Sequence, residues 1–141
     1  MSLCSLIYVS QAAKPMSDDD LKILLQFARQ KNERLGITGM LLYRDGFFMQ
    51  ALEGQHETVD ALFERIRQDP RHRDVLRIYR DPVKARSFPD WTMGFNKVDD
   101  ETLVNMEGFT EFMDHPNPGF FHGEPARAKA LLDNFRNHIF F

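Results

Sequence analysis

Residues 36–54 read GITGMLLYRDGFFMQALEG, and the order of residue types in this stretch decides the fold. Two apolar runs, MLLY from Met40 and FFMQAL from Phe47, meet at Asp45-Gly46, the dipeptide that best tolerates the positive φ of a tight hairpin turn. The stretch predicts two antiparallel strands, the second and third of the chain. Side chains alternate along a strand, so Phe48, Gln50 and Leu52 share one face of the third.

Working outward toward the N-terminus, residues 3–9 (LCSLIYV) are rich in branched and aromatic side chains and predict a first strand, ended by SQAAKPMS. Ser17 then precedes an acidic first turn ending at Asp20, and Leu21, Leu24, Leu25 and Ala28 recur at helical spacing, which predicts a helix to about Glu33. On the other side, Val59, Leu62, Phe63 and Ile66 give a second helical stripe, closed at Asp69-Pro70 because proline disfavours a helical predecessor. VLRIY at 75–79 and WTMGFNKV at 91–98 alternate like half-buried strands, with Pro82 and Pro89 breaking the segment between them. The order βαββαββ predicts an α+β, ferredoxin-like sheet with both helices on one face and strands one and three as central neighbours.

Residues 1–98 make up that domain. In residues 99–141, Leu103, Met106 and Phe109 suggest one short helix, and Ala128, Leu131, Leu132, Phe135 and Ile139 another, with Pro125 near its start. They predict a C-terminal helical cap. Phe120 and Phe121 in the loop between them, with Phe140 and Phe141, are candidates for a self-association surface, so a homo-oligomer is expected.

Of the 141 residues, 43% are hydrophobic and 28% charged, ordinary values for a chain that folds. The net charge of −3 comes with Lys and Arg scattered among acids, which disfavours nucleic acid as a partner. The single cysteine, Cys4, forms no internal disulfide and no structural zinc site, and it suits a reducing cytoplasm. No stretch approaches the roughly 20 apolar residues that span a bilayer, so no membrane insertion is expected. A nucleophile elbow, a metal-ligand cluster and a Gly-rich phosphate loop are all missing from the sequence, which argues against a hydrolase or other enzyme and against a bound metal.

Candidate chemistry lies in the layer between sheet and helices. Cys4, Leu6 and Tyr8 share one face of strand one, so Tyr8 and Gln50 are placed to meet across neighbouring strands. Asn32, four residues after Ala28 and seven after Leu25, puts an amide on the helical stripe that otherwise points at the core. Three hydrogen-bonding groups aimed into an apolar layer would orient a flat, heteroatom-rich ligand. From spacing alone the plainer alternative stands beside this one: a buried tyrosine reaching a backbone carbonyl, and Gln50 and Asn32 finding water or backbone.

The ordered set Tyr8 with Ser10, Asn32 followed by Gly36-Ile37-Thr38-Gly39, FFMQALEG at 47–54, RIRQDPRHRD at 65–74 and FPDWTM at 88–93 resembles the BLUF family of flavin-based blue-light sensors, over roughly residues 1–98. The resemblance implies a noncovalent flavin, FAD with FMN as the alternative, held between the two helices. It places the amides of Asn32 and Gln50 on the flavin's polar edge with Tyr8 beside the flavin, Leu24 and Ile66 packing on it, and Arg65, Arg71 or His72 nearer its ribityl or phosphate end, with Asp69 also among the binding residues. It further implies that on illumination Tyr8 gives up an electron and its proton leaves through Gln50, and that Trp91 and Met93 on the last strand relay the change to the cap. Residues 99–141 leave no room for a cyclase or phosphodiesterase domain, so signalling to a separate partner protein is expected. The rival reading is a light-insensitive binding module on the same architecture, which would purify colourless.

Overall fold

The computed structural model describes residues 2–44, 46–89 and 92–97. Its elements run β1 (Leu3–Ala12), α1 (Asp18–Leu35), β2 (Thr38–Arg44), β3 (Phe47–Gln55), α2 (His56–Gln68), β4 (His72–Val83) and β5 (Gly94–Lys97), the expected βαββαββ order. The sheet order is β4-β1-β3-β2-β5, so β1 and β3 are central neighbours. β1 pairs antiparallel with both β3 and β4, and β5 pairs parallel with β2 at the far edge.

The hairpin forms where Asp45-Gly46 predicts it: Arg44 pairs with Phe47, and Gly46 sits at φ +86°, a backbone that glycine adopts without a Cβ penalty. Helix α1 starts on a reciprocal cap, the Ser17 hydroxyl accepting from the Asp20 amide and the Asp20 carboxylate from the Ser17 amide, each at 3.1 Å. It runs two residues past the expected end, to Leu35, and stops at Gly36 in the left-handed conformation, whose amide donates to the Asn32 and Glu33 carbonyls. That cap fixes the last turn, and with it Asn32.

Both helices cover the face that carries Cys4, Leu6, Tyr8, Phe48 and Leu52; Leu21 and Leu25 from α1 and Val59, Leu62 and Phe63 from α2 complete one buried cluster. Burying each of these larger aliphatic or aromatic side chains contributes roughly 1.5–3 kcal/mol. The opposite face, with Ile7, Val9, Met40, Leu42, Met49 and Ala51, is buried too, and burial on both faces explains why β1 and β3 read as continuous apolar runs.

The last two strands depart from the sequence reading. β4 extends from His72 through Pro82 to Val83, where Pro82 was expected to break the segment. As an edge strand, β4 needs amide donors on one side alone, so a proline is tolerated there. β5 begins at Gly94 rather than at residue 91, so Met93 lies in the bend just before the strand and not on it. Trp91 and the expected C-terminal cap over residues 99–141 lie outside the described residues. Among the described residues, no helix is long and apolar enough to cross a membrane.

Candidate functional site

Strand register sets the centre of the site, because Tyr8 of β1 and Gln50 of β3 are direct cross-strand partners on the helix-covered face. The Tyr8 hydroxyl donates to Gln50 Oε1, and both residues are buried, at 1% and 7% exposure. Gln50 Nε2 donates in turn to Met93 Sδ at 3.2 Å. The amide is thereby oriented, oxygen toward the phenol and nitrogen toward the thioether. Burial, and after it the negative charge of Asp69, pushes the Tyr8 phenol well above its usual pKa, so it stays protonated.

Asn32, 3% exposed in the last turn of α1, donates from Nδ2 to the Thr92 carbonyl at 2.7 Å. Its partner carbonyl belongs to the connection leading into β5. Arg29, one turn earlier, donates to the Met93 carbonyl at 2.9 Å and holds the same segment.

These groups surround a cavity of about 270 Å³ between the helices and the sheet. Leu24, Leu25 and Ala28 of α1, Leu62 and Ile66 of α2, Leu41, Phe48 and Met93 give it apolar walls, with Tyr8, Asn32 and Gln50 as polar groups within. Phe27, Lys31, Arg65, Asp69, Arg71 and His72 line it as well. An apolar chamber with a few converging polar groups is the form of a small-molecule site.

At one end the Arg71 guanidinium clasps the Asp69 carboxylate, Nη2 to Oδ2 at 2.6 Å and Nε to Oδ1 at 3.1 Å. That clasp holds the Asp69 carboxyl below the usual carboxylate range. His72 Nδ1 lies 2.9 Å from the Ser10 hydroxyl, and its ring tilts against Phe48 with centroids 5.2 Å apart. Burial lowers the pKa of the His72 imidazole; Asp69 opposes that shift and Arg71 adds to it.

All described residues among the sequence candidates, namely Tyr8, Leu24, Asn32, Gln50, Arg65, Ile66, Asp69, Arg71, His72 and Met93, line this one cavity. The sequence reading did not single out Arg29, Phe27 or Lys31. Phe27 and Lys31 follow Leu24 and Ala28 at three-residue steps, a spacing that marks one helix flank. It also missed Glu53, 1% exposed, whose carboxylate accepts from the Ser87 and Phe88 amides at 2.8 Å each. An acid within an apolar strand run is the signal that was there to be read.

The family described as sensors of blue-light using FAD, abbreviated BLUF, matches residues 3–94. The photoactivated adenylate cyclase subunit beta of Euglena longa is 44% identical over 93 residues, which are 65% of this chain and 11% of that protein. The chain thus spans about a tenth of the length of such curated relatives. Among solved structures, BlrB, a BLUF protein in its dark state, is 35% identical with a TM-score of 0.72, covering 92% of this chain and 96% of BlrB. BlsA in its photo-activated state is 31% identical with a TM-score of 0.76, covering 93% of this chain and 94% of BlsA.

Proposed function

The chain belongs to the BLUF family, blue-light sensors whose chromophore is a flavin, and from that premise we propose that Tyr8 and Gln50 are its light-reactive pair and Asn32 the anchor of the flavin's polar edge. The observation that carries the reading is the bond from the Tyr8 hydroxyl to Gln50 Oε1 inside an apolar cavity that Asn32 also lines.

The residues present fit a flavin. An amide offers two N–H donors and an acceptor oxygen with two lone pairs. Gln50 uses one N–H on Met93 and one lone pair on Tyr8, which leaves one of each for a ligand. Asn32 uses one N–H on Thr92 and keeps Oδ1. A flavin's pyrimidine edge alternates carbonyl acceptors with an imide N–H, the complement of that set. Leu24 and Ile66, one from each helix, supply apolar contact for the ring, while Arg65, Arg71 or His72 serves its ribityl or phosphate end and Asp69 orients Arg71.

A bound flavin supplies absorption of blue light and, once excited, an oxidising centre. Tyr8 would be the donor to that centre: burial keeps the phenol protonated, so electron and proton would go together to the flavin, the proton along the bond to Gln50. Both would return to Tyr8 afterwards, so nothing would be consumed. What remains changed is the Gln50 amide, turned or tautomerised, which exchanges donor and acceptor between its neighbours.

Met93, bonded to Gln50 and adjoining β5, carries the change outward, and Trp91 is the second relay candidate. Residues 1–98 form the sensor and residues 99–141 an extension that passes the signal on. The photoactivated cyclase subunits carry the matched stretch within far longer chains, which supports an output beyond the sensor. For this chain we assign that output to a partner protein, with a cytoplasmic, homo-oligomeric sensor lacking catalysis of its own and taking FAD or FMN.

The test is the absorption spectrum of the purified protein before, during and after blue light. We expect a flavin band that shifts slightly to the red and reverts in the dark. A colourless protein, or a band that light leaves unmoved, rejects the reading.

A further inference from the structure

Phe27 lines the cavity and is nevertheless 65% exposed, the largest exposure among the large apolar side chains of the described residues. It lies one helical turn before Lys31, so the two side chains are neighbours on α1, and both line the cavity while Lys31 is only partly buried. Arg65 of α2 and Arg71 of the turn after it line the same cavity and are exposed, and Asp69 is the one acid among the described residues that line it. The Arg71 guanidinium already engages both Asp69 oxygens. Partial burial lowers the pKa of the Lys31 ammonium, and the positive charges of Arg65, Arg34 and Arg71 lower it further. Cations gathered at one mouth repel one another, and an anion seated there removes the penalty. An aromatic face held in water beside them gains by stacking on a flat ring.

Building on the flavin reading above, we propose that Phe27, Lys31 and Arg65 form a second subsite at the cavity mouth for the adenylate half of FAD. Lys31 and Arg65 take the pyrophosphate, and the adenine ring stacks on Phe27. The subsite makes the protein select FAD over FMN, a choice the cavity interior cannot make because the flavin ring is common to both. Base stacking on an aromatic side chain sets the expected size of that preference at roughly tenfold.

Three ligands dissect the site: riboflavin has the ring alone, FMN adds one phosphate, and FAD adds adenylate. The full chain would be loaded with riboflavin and titrated with FMN or FAD in competition. We expect FAD to bind roughly tenfold tighter than FMN. Phe27→Ala should abolish that ratio while leaving riboflavin and FMN unchanged, and Phe27→Trp should keep it. Lys31→Gln should weaken FMN and FAD relative to riboflavin, by a factor that shrinks as salt rises. Equal affinity for FMN and FAD in the unmodified protein, or an equal loss of all three ligands in Phe27→Ala, overturns the subsite and leaves the flavin reading standing. Failure to take up riboflavin at all overturns both.

Discussion

Gln50 and Glu53, three residues apart on β3, hold opposite ends of the connection between β4 and β5. Gln50 donates to Met93 Sδ at 3.2 Å, whereas the Glu53 carboxylate accepts from the Ser87 and Phe88 amides at 2.8 Å each. Arg86 strengthens the near end, donating from Nη1 to Thr38 Oγ1 and the Glu53 carbonyl at 2.9 Å and from Nη2 to the Gly36 carbonyl at 2.8 Å. Charge-assisted bonds to a buried carboxylate are strong and a thioether is a weak acceptor. The backbone of both parts is held, by Glu53 on one side and by Arg29 and Asn32 on the other, so a change at Gln50 acts on the Met93 side chain through the weakest bond of the set.

Glu53→Gln keeps the size of the side chain and replaces one of two acceptor oxygens with an amino group facing an amide donor. One buried N–H then lacks a partner, at a cost of about 1–3 kcal/mol. The expected outcome is a lower melting temperature with the flavin band retained, read by thermal melts and absorption on the same sample. An unchanged melting temperature would remove Glu53 as the anchor.

Tyr8→Phe deletes the oxidisable phenol, and Gln50→Leu deletes the amide that can be inverted. Both changes leave the walls of the cavity apolar, so each variant is expected to bind flavin. Neither should show the reversible red shift in a light-minus-dark difference spectrum. Gln50→Leu should also lower stability by about 1–3 kcal/mol, because the buried Tyr8 hydroxyl loses its acceptor. A normal photocycle in either variant would exclude that residue from the light-reactive pair.

The elements that local chemistry specifies were legible in the sequence. Asp45-Gly46 fixed the hairpin, Ser17 and Asp20 the start of α1, and period-2 alternation the pairing of Tyr8 with Gln50. What escaped depends on partners distant in the chain. Pro82 breaks a central strand and is accommodated at an edge, and edge position is decided by sheet order rather than by neighbours in sequence. Met93 was read onto the last strand because WTMGFNKV alternates, but its backbone is held by Arg29 and its neighbour Thr92 by Asn32, both on α1. Glu53 was overlooked because its partners are backbone amides of a segment over thirty residues away, which no pattern of side chains encodes. The family resemblance supplied the flavin, which neither composition nor spacing could.

Met93→Ala removes the sulfur that Gln50 Nε2 donates to, and with it an interaction favouring the resting orientation of the amide. The red shift should still form, since Tyr8 and Gln50 are intact. Dark recovery should slow, by about fivefold where an interaction worth about 1 kcal/mol is already fully formed in the transition state for recovery and by less where it forms later. Met93→Leu, which restores bulk without the acceptor, should recover as slowly as the alanine variant if the hydrogen bond matters, and at the original rate if packing does. Recovery unchanged in both would take Met93 out of the relay.

Stability should depend on pH in two separated windows. Burial depresses the pKa of the His72 imidazole below its usual 6.5, so on acidification the unfolded chain takes up a proton before the folded one does. The His72 contribution is therefore intact above about pH 6.5 and lost as pH falls from there through the lowered folded value. The Asp69 carboxyl, depressed chiefly by its bond to Arg71, adds its own loss only nearer its usual range at about pH 4. Tyr8 has the opposite sign: its phenol is raised, so stability holds below about pH 10 and declines above it as the unfolded chain ionises first. Melting temperatures measured from about pH 5 to 7 should fall with acid in the unmodified protein, and His72→Gln, whose amide can still bond to Ser10, should flatten that slope. The same slope in the variant would assign the acid sensitivity elsewhere. Because the folded Tyr8 phenol keeps its proton, the amplitude of the light response should be constant from pH 7 to about 10, and a response that titrated away in that range would mean that the donor is not the buried phenol.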